Sequence, residues 1–420
     1  MTGGSWALAA LLCWHLSVSG AVPKEVPVEQ VRPWALNQKH VRVLVLDGVK
    51  NVALRSSSPA AIVNMETGAR VASAGAGATI TAKSWGGVLV LRVEGRRVDL
   101  RGARIELASG GTVSLAGRRN AYPGSIEIAA DGGGLRVVND VGLESYLAGV
   151  VAAEVPSTFP LEAMKAQAIA ARTYTLAHLG DHAAKGADLC AQVHCQVYSG
   201  SPPPTSRAAR AVQETAGEVL VWNDLLVDAL YHSACGGATA APWDVRQGKL
   251  LPYLAGSPDS EPGGDAYCNF DRDSHWTTSF TRQQAERLVA ANLGAVTGRP
   301  GLSPGHLRSL QIENRRGSRV EWLDVGTSAG RYRVRGDAIR WLFGNGHPGS
   351  SGLRSCAFTL SVRKDRHGGP VAFVFKGAGH GHGIGMCQWG ARGRAECGQT
   401  AGEILSAYYP GAEIVDLRHG

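Results

Sequence analysis

A glutamate at position 154 is the side chain best placed for acid–base chemistry in this 420-residue sequence. Leu143, Leu147 and Val150 have the spacing of one apolar helix face, and Glu154 continues that face on the next turn. A carboxylate there is desolvated and lies at the negative end of the helix dipole, and both effects raise its pKa. Such a group suits a general acid that cleaves a glycosidic bond near neutral pH.

A structural role is the alternative for this glutamate. Lys165 and Arg172 lie on the next predicted helix, and an ion pair with either of them would also perturb a carboxylate. The sequence pattern alone leaves both roles open.

The segment GAGHGHGIGMCQWGA, residues 377–391, is a second candidate for chemistry. Its glycines let a backbone pass close to a ligand, while His380, His382 and Gln388 offer hydrogen bonds. It completes no dinucleotide fingerprint, and the sequence contains no Walker A motif. A tight turn with incidental histidines is the alternative. A nucleophilic Cys387 paired with either histidine lacks a third, orienting group.

A third candidate is the segment DHAAKGADLCAQVHCQVYSG, which contains His182, Cys190, His194 and Cys195. Thiolates and imidazoles within one short loop can bind zinc, although the spacing is not that of a standard zinc finger. A disulfide between Cys190 and Cys195 competes with the metal site in an exported protein. Outside this loop, Cys235 and Cys268 are a plausible disulfide pair, but spacing cannot fix connectivity.

The elements that must hold these residues fall into two parts. Short β-branched or alternating runs in residues 40–138, separated by Gly, Asp and Asn, predict a β-rich segment. Two helices follow; Pro156 ends the first, and Ser157 or Thr158 can cap the second. Beyond residue 200 the pattern predicts strands near 218–232, 308–334 and 356–376 and helices near 281–293, 336–343 and 400–409. The fold class predicted is α+β.

Positive charge is concentrated near the N-terminus. Residues 22–136 contain 16 Lys and Arg against 9 Asp and Glu, whereas the later residues are nearly balanced within the formal net charge of +8. A basic surface fits an anionic wall polymer, a membrane surface or nucleic acid. No nucleic-acid motif is present, so we expect no nucleic-acid partner. A solvated surface that keeps the protein soluble is the alternative.

The first 21 residues have the pattern of a secretory signal peptide, with an apolar run too short to span a bilayer and small residues after it. Cleavage there would remove Cys13 and leave seven cysteines in an oxidising compartment. No later run is long and apolar enough for a membrane anchor. We therefore expect an exported protein without a transmembrane anchor after cleavage.

Several motifs taken in order resemble the stage II sporulation protein D family, also called the SpoIID/LytB amidase-enhancer family. They are NDVGLESYLAGVVAAEVPSTFPLEAMKAQAIAARTY, DLCAQVHCQVYSG, HSACGGAT and GHGHGIGMCQWGA. The resemblance runs from about Tyr122 to the C-terminus. We accordingly predict a signal peptide over 1–21, a basic β-rich module over 22–117 and a SpoIID-like α+β domain with a cleft over 118–420.

The resemblance implies a lytic transglycosylase of the bacterial cell wall, which cuts the MurNAc–GlcNAc bond of peptidoglycan strands already stripped of peptides. The family's catalytic glutamate falls on Glu154, within its Glu-hydrophobic-Pro motif. One carboxyl group is sufficient for this reaction, because the 6-hydroxyl of the muramic acid is the nucleophile and leaves a 1,6-anhydro product. Ordinary glycosidases need two carboxylates.

The resemblance also implies roles for other residues. Lys165, Gln167 and Arg172 would line the cleft or fix the glutamate, with helix packing as the alternative, and His380, His382 and Gln388 would form the opposite wall. Some relatives hold a zinc ion with one histidine and two cysteines. That set falls best on Cys190 and Cys195 with either His182 or His194, although the chemistry itself requires no cofactor.

Two other functions remain open. The family also includes stimulators of a wall amidase, so the protein could bind peptidoglycan and activate such a partner without catalysis. A zinc hydrolase that uses the cysteine-histidine loop is the other. For each of them we expect a location in the periplasm or the cell wall.

Overall fold

The computed structural model describes residues 24–36, 40–118, 120–242, 250–261, 263–269, 274–344 and 352–419. The predicted signal peptide lies outside the described residues. The chain divides into two compact units, namely residues 24–228 with 414–419, called here the first unit, and residues 229–413, called the second unit. The boundary predicted between residues 117 and 118 falls inside the first unit and stays a prediction.

The β-rich part of the first unit forms two sheets. Its strands are β1 (His40–Val49), β2 (Asn51–Ser56), β3 (Ala60–Asn64), β4 (Arg70–Ala74), β5 (Thr79–Trp85), β6 (Val88–Val93), β7 (Arg96–Leu100), β8 (Gly102–Leu107), β9 (Thr112–Leu115), β10 (Ala121–Pro123), β11 (Ser125–Asp131), β12 (Gly134–Gly142) and β13 (Leu189–Cys190). The sheet orders are β13-β1-β12-β11-β8-β3-β4 and β10-β9-β2-β5-β6-β7. Every second side chain of β6 is buried, as the alternating pattern predicts for a strand.

One described helix of the first unit precedes the β-rich part, and the others follow it. They are α1 (Val28–Leu36), α2 (Leu143–Glu154), α3 (Leu161–Ala177) and α4 (Arg207–Glu214). Helix α2 begins directly after β12, so the sheet fixes where it starts. The pair predicted around Pro156 is confirmed, whereas α4 was not predicted.

The turn between α2 and α3 differs from the prediction. Val155 is extended, as a residue before proline prefers, and this ends α2. The predicted cap at Ser157 or Thr158 is wrong, because the N-cap of α3 is Pro160, which makes no side-chain cap. The residues before it form a turn that buries Phe159, which is 1% exposed.

The second unit combines two three-stranded antiparallel sheets with helices. Its strands are β16 (Tyr231–His232), β17 (His275–Thr281), β18 (Leu307–Arg316), β19 (Arg319–Thr327), β20 (Gly330–Arg335), β21 (Phe358–Lys364), β22 (Pro370–Ala378) and β23 (Met386–Cys387), and its helices are α5 (Arg282–Val296), α6 (Ala338–Leu342), α7 (Gln388–Glu396) and α8 (Ala401–Tyr408). The sheets have the orders β17-β22-β21 and β18-β19-β20. Phe280, Phe343 and Phe375 pack together in the core.

Short strands complete the fold. Strand β14 (Glu218–Trp222) lies between β15 (Leu225–Leu226) and β24 (Glu413–Asp416). Helices and strands occur in both units, which confirms the α+β class, while the cleft stays a prediction. Within the part of the chain that the structure describes, no helix has the length and apolar content of a transmembrane span.

A glycine in α2 is required by close packing. A Cβ atom on Gly149 would lie 2.5 Å from Cε2 of Tyr198 and 2.7 Å from the carbonyl oxygen of Gly200. We predict that Gly149→Ala lowers the free energy of unfolding by about 1–3 kcal/mol in chemical denaturation, since overpacking forces the neighbours apart. Gly142→Ala is the matched control, because a Cβ there meets nothing within 4 Å. Equal stability of the two variants would contradict this account.

A histidine at the end of α3 makes the stability of the first unit depend on pH. His178 contacts Asp181 through Nδ1 at 2.8 Å and Asp228 through Nε2 at 3.1 Å. Burial lowers the pKa of His178, but the hydrogen bonds and charges of the two carboxylates outweigh it and raise the pKa to about 9. The folded protein therefore holds a proton that the unfolded chain releases near pH 6.5.

We predict that this stabilisation is complete below about pH 6.5 and is lost as the pH rises through about 9. The contribution is on the order of 3 kcal/mol. Chemical denaturation between pH 6 and 10 measures it, with His178→Gln as the comparison. Wild type should lose more stability over this interval than the variant, and parallel profiles would exclude this role for His178.

Candidate functional site

Glu154 is the last residue of α2 and is half-buried. Its Oε1 accepts a hydrogen bond from the backbone N–H of Val197, with an N–O distance of 2.8 Å. The apolar stripe predicts a desolvated carboxylate, and the half-buried side chain shows that this burial was overestimated. Because the helix ends at this residue, no further helical turn covers the side chain. The carboxyl group is thus held at one oxygen by a backbone donor.

The loop that supplies this donor starts at the edge of the first sheet. Leu189 and Cys190 pair in parallel with Val43 and Leu44 of β1. On the other side of that contact, the backbone N–H of Ala191 donates to the carbonyl oxygen of Leu44 at 3.0 Å. These contacts hold the loop against β1, which lies between β13 and β12 in the seven-stranded sheet.

Four metal-ligating side chains of this loop come together, and we call them the Cys/His cluster: His182, Cys190, His194 and Cys195. Their donor atoms all lie within 4.8 Å of one another. The sequence left open which histidine would join the two cysteines, and the structure brings both of them to the site.

The distances in the Cys/His cluster fit one tetrahedral ion. The Sγ atoms of Cys190 and Cys195 are 3.5 Å apart, and the Cys195 sulfur is 3.3 Å from Nε2 of His182 and 3.3 Å from Nδ1 of His194. Sulfur ligands about 2.3 Å from a tetrahedral zinc lie roughly 3.8 Å apart, and a sulfur and a nitrogen roughly 3.6 Å apart. A disulfide would need about 2.05 Å between the sulfurs. The donor set and its spacing therefore fit zinc.

The protonation of the Cys/His cluster is also suited to a metal. A hydrogen bond from the Cys195 thiol and further hydrogen bonds from both histidines lower the pKa of Cys190, while the same contact with Cys190 raises the pKa of Cys195. One thiolate is thus already favoured, and a thiolate is the form that binds zinc.

A buried polar network continues from the cluster behind Glu154. Gln196, next to Cys195 in sequence, accepts hydrogen bonds at Oε1 from the Tyr146 hydroxyl at 3.1 Å and the Thr175 hydroxyl at 2.9 Å. Tyr198 donates to Asn139 of β12 at 2.9 Å. Val197 stands between these two tethered residues, so its N–H is held toward Glu154. Sequence reasoning missed this donor, because a backbone N–H has no signature in the residue type.

The basic residues predicted near Glu154 pair with other carboxylates. Lys165 contacts Glu162 at 2.9 Å and Glu214 at 2.7 Å. Arg172 is 1% exposed and binds both carboxyl oxygens of Glu144, at 3.0 and 2.6 Å. Packing between helices accounts for both residues.

Gln167, in the same helix as these two basic residues, is fully buried. Contact of Gln167 or Arg172 with a glycan strand would require α3 to become exposed, so the packing alternative fits these two residues better.

The glycine-rich segment of the second unit pairs with the protein's own backbone. His382 donates from Nε2 to the carbonyl oxygen of Tyr231 at 2.9 Å and accepts at Nδ1 from the N–H of Ile384 at 3.0 Å. His380 is half-buried and Gln388 is buried. The predicted role of these residues as a wall opposite Glu154 stays a prediction.

The glycines of this segment allow its backbone to approach other atoms of the protein closely. Gly383 and Gly385 have φ values of +86° and +67°, and Cβ atoms on them would lie 2.1 Å from Nη2 of Arg319 and 2.0 Å from the carbonyl oxygen of Leu230. The sequence pattern correctly indicated close backbone contact, but the expected partner, a ligand, is here another part of the chain.

Cys387 is unsuited to nucleophilic attack. It is fully buried, and burial raises the pKa of its thiol well above the usual value. The Sγ atoms of Cys235 and Cys268, the predicted disulfide pair, are 3.6 Å apart, so they are close but not bonded.

Comparison with known proteins gives matches in both units. Residues 131–222 match the model of the stage II sporulation protein (SpoIID) family. Stage II sporulation protein D of Bacillus subtilis is 28% identical over 301 residues, which cover 66% of this chain and 75% of that protein. An amidase enhancer of the same organism is 29% identical over 301 residues, 64% of this chain and 40% of the enhancer. These matches support the SpoIID family for this chain.

The SpoIID match includes Glu154, its Val197 donor and all of the Cys/His cluster. Residues 267–385 match a domain of unknown function, which includes His380 and His382. An uncharacterised protein of Brachyspira hyodysenteriae is 28% identical over 302 residues, 70% of this chain and 72% of the relative. The chain spans less than half of the amidase enhancer, whose remaining residues have no counterpart in the matched part.

We predict that removing zinc from the Cys/His cluster loosens the contact between Val197 and Glu154. A chelator, or Cys195→Ser, should raise the hydrogen-exchange rate of peptides from residues 190–198 by about tenfold or more, because the loop loses its crosslink. Mass spectrometry of the exchanged protein measures this. Peptides from β6, far along the chain in the β-rich part, serve as the internal control.

The disulfide alternative predicts another outcome in this experiment. If Cys190 and Cys195 were bonded, a reductant would loosen the loop and a chelator would have no effect. That result would rule out the metal site.

Proposed function

We propose that this protein is a lytic transglycosylase that cleaves the MurNAc–GlcNAc bond of peptide-stripped peptidoglycan strands, with Glu154 as its general acid and base. The observation that carries this proposal is the hydrogen bond from Val197 to Glu154. This hydrogen bond fixes the direction of a half-buried carboxyl group at the end of α2.

The reaction needs two proton transfers, one from Glu154 and one back to it. Protonated Glu154 gives its proton to the glycosidic oxygen as the bond from that oxygen to C1 of MurNAc breaks. The resulting carboxylate then takes the proton of the 6-hydroxyl of the same sugar as O6 bonds to C1. The glutamate is restored, no water is consumed, and the product carries a 1,6-anhydro end.

The Cys/His cluster would have a structural role in this reaction. A zinc ion held by His182, Cys190, His194 and Cys195 would crosslink the loop without touching the sugar. Four protein ligands fill a tetrahedral sphere, as in structural zinc sites, whereas a hydrolytic zinc keeps a position for water. The donor set therefore argues against the zinc hydrolase that the sequence left open.

A cell-wall role is supported by the names of two relatives, an amidase enhancer and a stage II sporulation protein D. For this chain we propose a location outside the cytoplasmic membrane, in the periplasm or the cell wall, where peptidoglycan is accessible.

Amidase enhancement is the second candidate, and a surface feature favours it. Trp85 is 79% exposed beside the two glycines that join β5 to β6, in the module where the positive charge is concentrated. An exposed aromatic ring on a module with a net positive charge suits binding to an anionic wall polymer. The protein would then bind peptidoglycan and stimulate a wall amidase.

We predict that Glu154→Gln lowers the rate of glycan cleavage by about 10²–10⁴-fold, because the amide keeps a hydrogen-bond acceptor for Val197 but cannot transfer the proton. The assay incubates purified protein with peptide-stripped glycan strands and counts 1,6-anhydro-MurNAc ends by mass spectrometry. Glu106→Gln is the matched control, because it removes an exposed carboxylate of β8 in the same unit.

The same variant separates the two candidate functions. If Glu154→Gln produces anhydro ends at the wild-type rate, the proposed role of Glu154 is refuted. If neither the variant nor wild type produces them, the transglycosylase activity is refuted. If Glu154→Gln then stimulates a purified wall amidase as well as wild type does, the enhancer role is supported instead.

A further inference from the structure

The second unit contains its own group of buried metal-ligating side chains, which we call the thiol cluster: His232, Cys235, Cys268 and Cys387. One ring nitrogen of His232 and the Sγ atoms of Cys235 and Cys387 lie within 4.8 Å of one another. The Cys268 sulfur is 3.6 Å from that of Cys235. None of the four residues is more than 4% exposed.

Backbone pairing brings these residues together from distant parts of the chain. Strands β16 and β23 run parallel, so that His232 lies beside Cys387. Cys235 follows three residues after His232, and its N–H donates to the Cys387 sulfur at 3.2 Å. Cys268 belongs to a turn that is held to Asp259 by the backbone N–H of Tyr267 at 3.0 Å.

The histidine has a free nitrogen that the fold does not satisfy. Nδ1 of His232 donates to the carbonyl oxygen of Ile384 at 3.1 Å, which leaves the lone pair on Nε2. Nε2 is buried and has no hydrogen-bond partner among the described residues. A neutral imidazole with one N–H on a carbonyl oxygen is the form that ligates metals.

The sulfur atoms receive backbone donors of the kind that stabilise thiolates. The Cys387 sulfur accepts from the N–H of Cys235 and, at 3.2 Å, from the N–H of Gly390 in the first turn of α7. The Cys235 sulfur accepts from the N–H of Gly237 at 3.3 Å. Such N–H groups favour negative charge on sulfur, but burial still raises the pKa of the Cys387 thiol, so a bound ion would have to displace its proton.

A buried positive charge lies next to the cluster. Arg319 is 2% exposed and donates from Nη2 to the carbonyl oxygen of Cys235 at 3.2 Å. Its Nε and Nη1 have no hydrogen-bond partner in the described part of the chain. A buried guanidinium is costly without a counter-charge. The Asp337 carboxylate is near enough to interact with it but also pairs with Arg340 at 2.9 Å. Three thiolates around a divalent ion carry a net charge of −1, which would add to the compensation.

We propose that the thiol cluster is a second zinc site, in which Cys235, Cys268 and Cys387 bind the ion as thiolates and His232 is the fourth ligand. Thiolate and imidazole donors select zinc among the common divalent ions. The 3.6 Å between the sulfurs of Cys235 and Cys268 is close to the roughly 3.8 Å expected for two sulfur ligands of one tetrahedral ion. The site would crosslink three distant segments of the second unit, independently of any catalysis at Glu154.

Asp259 is the other charged group that contacts the cluster, and it already has partners of its own. Its carboxylate accepts from the Tyr408 hydroxyl at 2.9 Å and from Nε of Arg394 at 3.1 Å. The Cys235 sulfur is 3.2 Å from Oδ2 of Asp259. When Cys235 gives up its proton to bind the ion, Asp259 retains the pair with Arg394.

Counting zinc in the purified full-length protein by inductively coupled plasma mass spectrometry tests the proposal. Cys387→Ala and Cys235→Ser should each lose one equivalent of zinc relative to wild type. Cys356→Ser is the matched control, because Cys356 is also buried in the second unit but donates to the carbonyl oxygen of Gly336 instead. With the Cys/His cluster also loaded, wild type contains two equivalents, and Cys195→Ser loses the other one.

A measurement on wild type alone avoids the risk that a variant fails to fold. The protein is unfolded without reductant, alkylated and digested, and the state of each cysteine is read by mass spectrometry. The zinc site predicts free thiols at Cys235, Cys268 and Cys387. A disulfide between Cys235 and Cys268, or a full zinc content in Cys387→Ala, would overturn the proposal.

Discussion

One hydrogen bond fixes the position of the Glu154 carboxyl group, because it joins the end of a helix to a loop that arrives from 43 residues further along the chain. The N–H of Val197 reaches Glu154 only while the loop stays folded. The loop is held at its start by parallel pairing with β1, and beyond it by the buried hydrogen bonds of Gln196 and Tyr198. A metal ion in the Cys/His cluster would close the same loop on itself, so that sheet, helix and cluster all converge on one carboxyl group.

In the second unit, too, contacts between segments that are distant in the sequence hold the notable side chains in place. Its glycine-rich segment lies so close to the strand after Asp228 that a Cβ atom at Gly385 would overlap a carbonyl oxygen. This close pairing occupies both ring nitrogens of His382 and brings the thiols of Cys235 and Cys387 close to the buried imidazole of His232. Residues that resemble a ligand-binding motif in the sequence thus serve first to hold two backbone segments together, while His380 and His382 are both half-buried.

The sequence predicted what depends on local pattern and missed what depends on long-range contact. The apolar spacing before Glu154 and the proline after it were sufficient to predict the end of α2. The pairing of Arg172 with Glu144 was not predictable, because it depends on how α2 and α3 pack together. Burial of Glu154 was overestimated, since the stripe argument assumes that the helix continues. Likewise, cysteine spacing could not distinguish a disulfide from a metal site, because connectivity depends on the distances between residues that the fold brings together.

The most direct test of Glu154 as general acid and base is a crystal structure of the zinc-loaded Glu154→Gln variant with a peptide-stripped glycan fragment. A catalytic Glu154 requires a glycosidic oxygen within hydrogen-bond distance of the side chain at position 154. The 6-hydroxyl of the adjacent MurNAc should lie within reach of the same side chain, and the N–H of Val197 should still donate to it. A glycan bound at another surface, or a side chain at position 154 that turns away from the sugar, would contradict it.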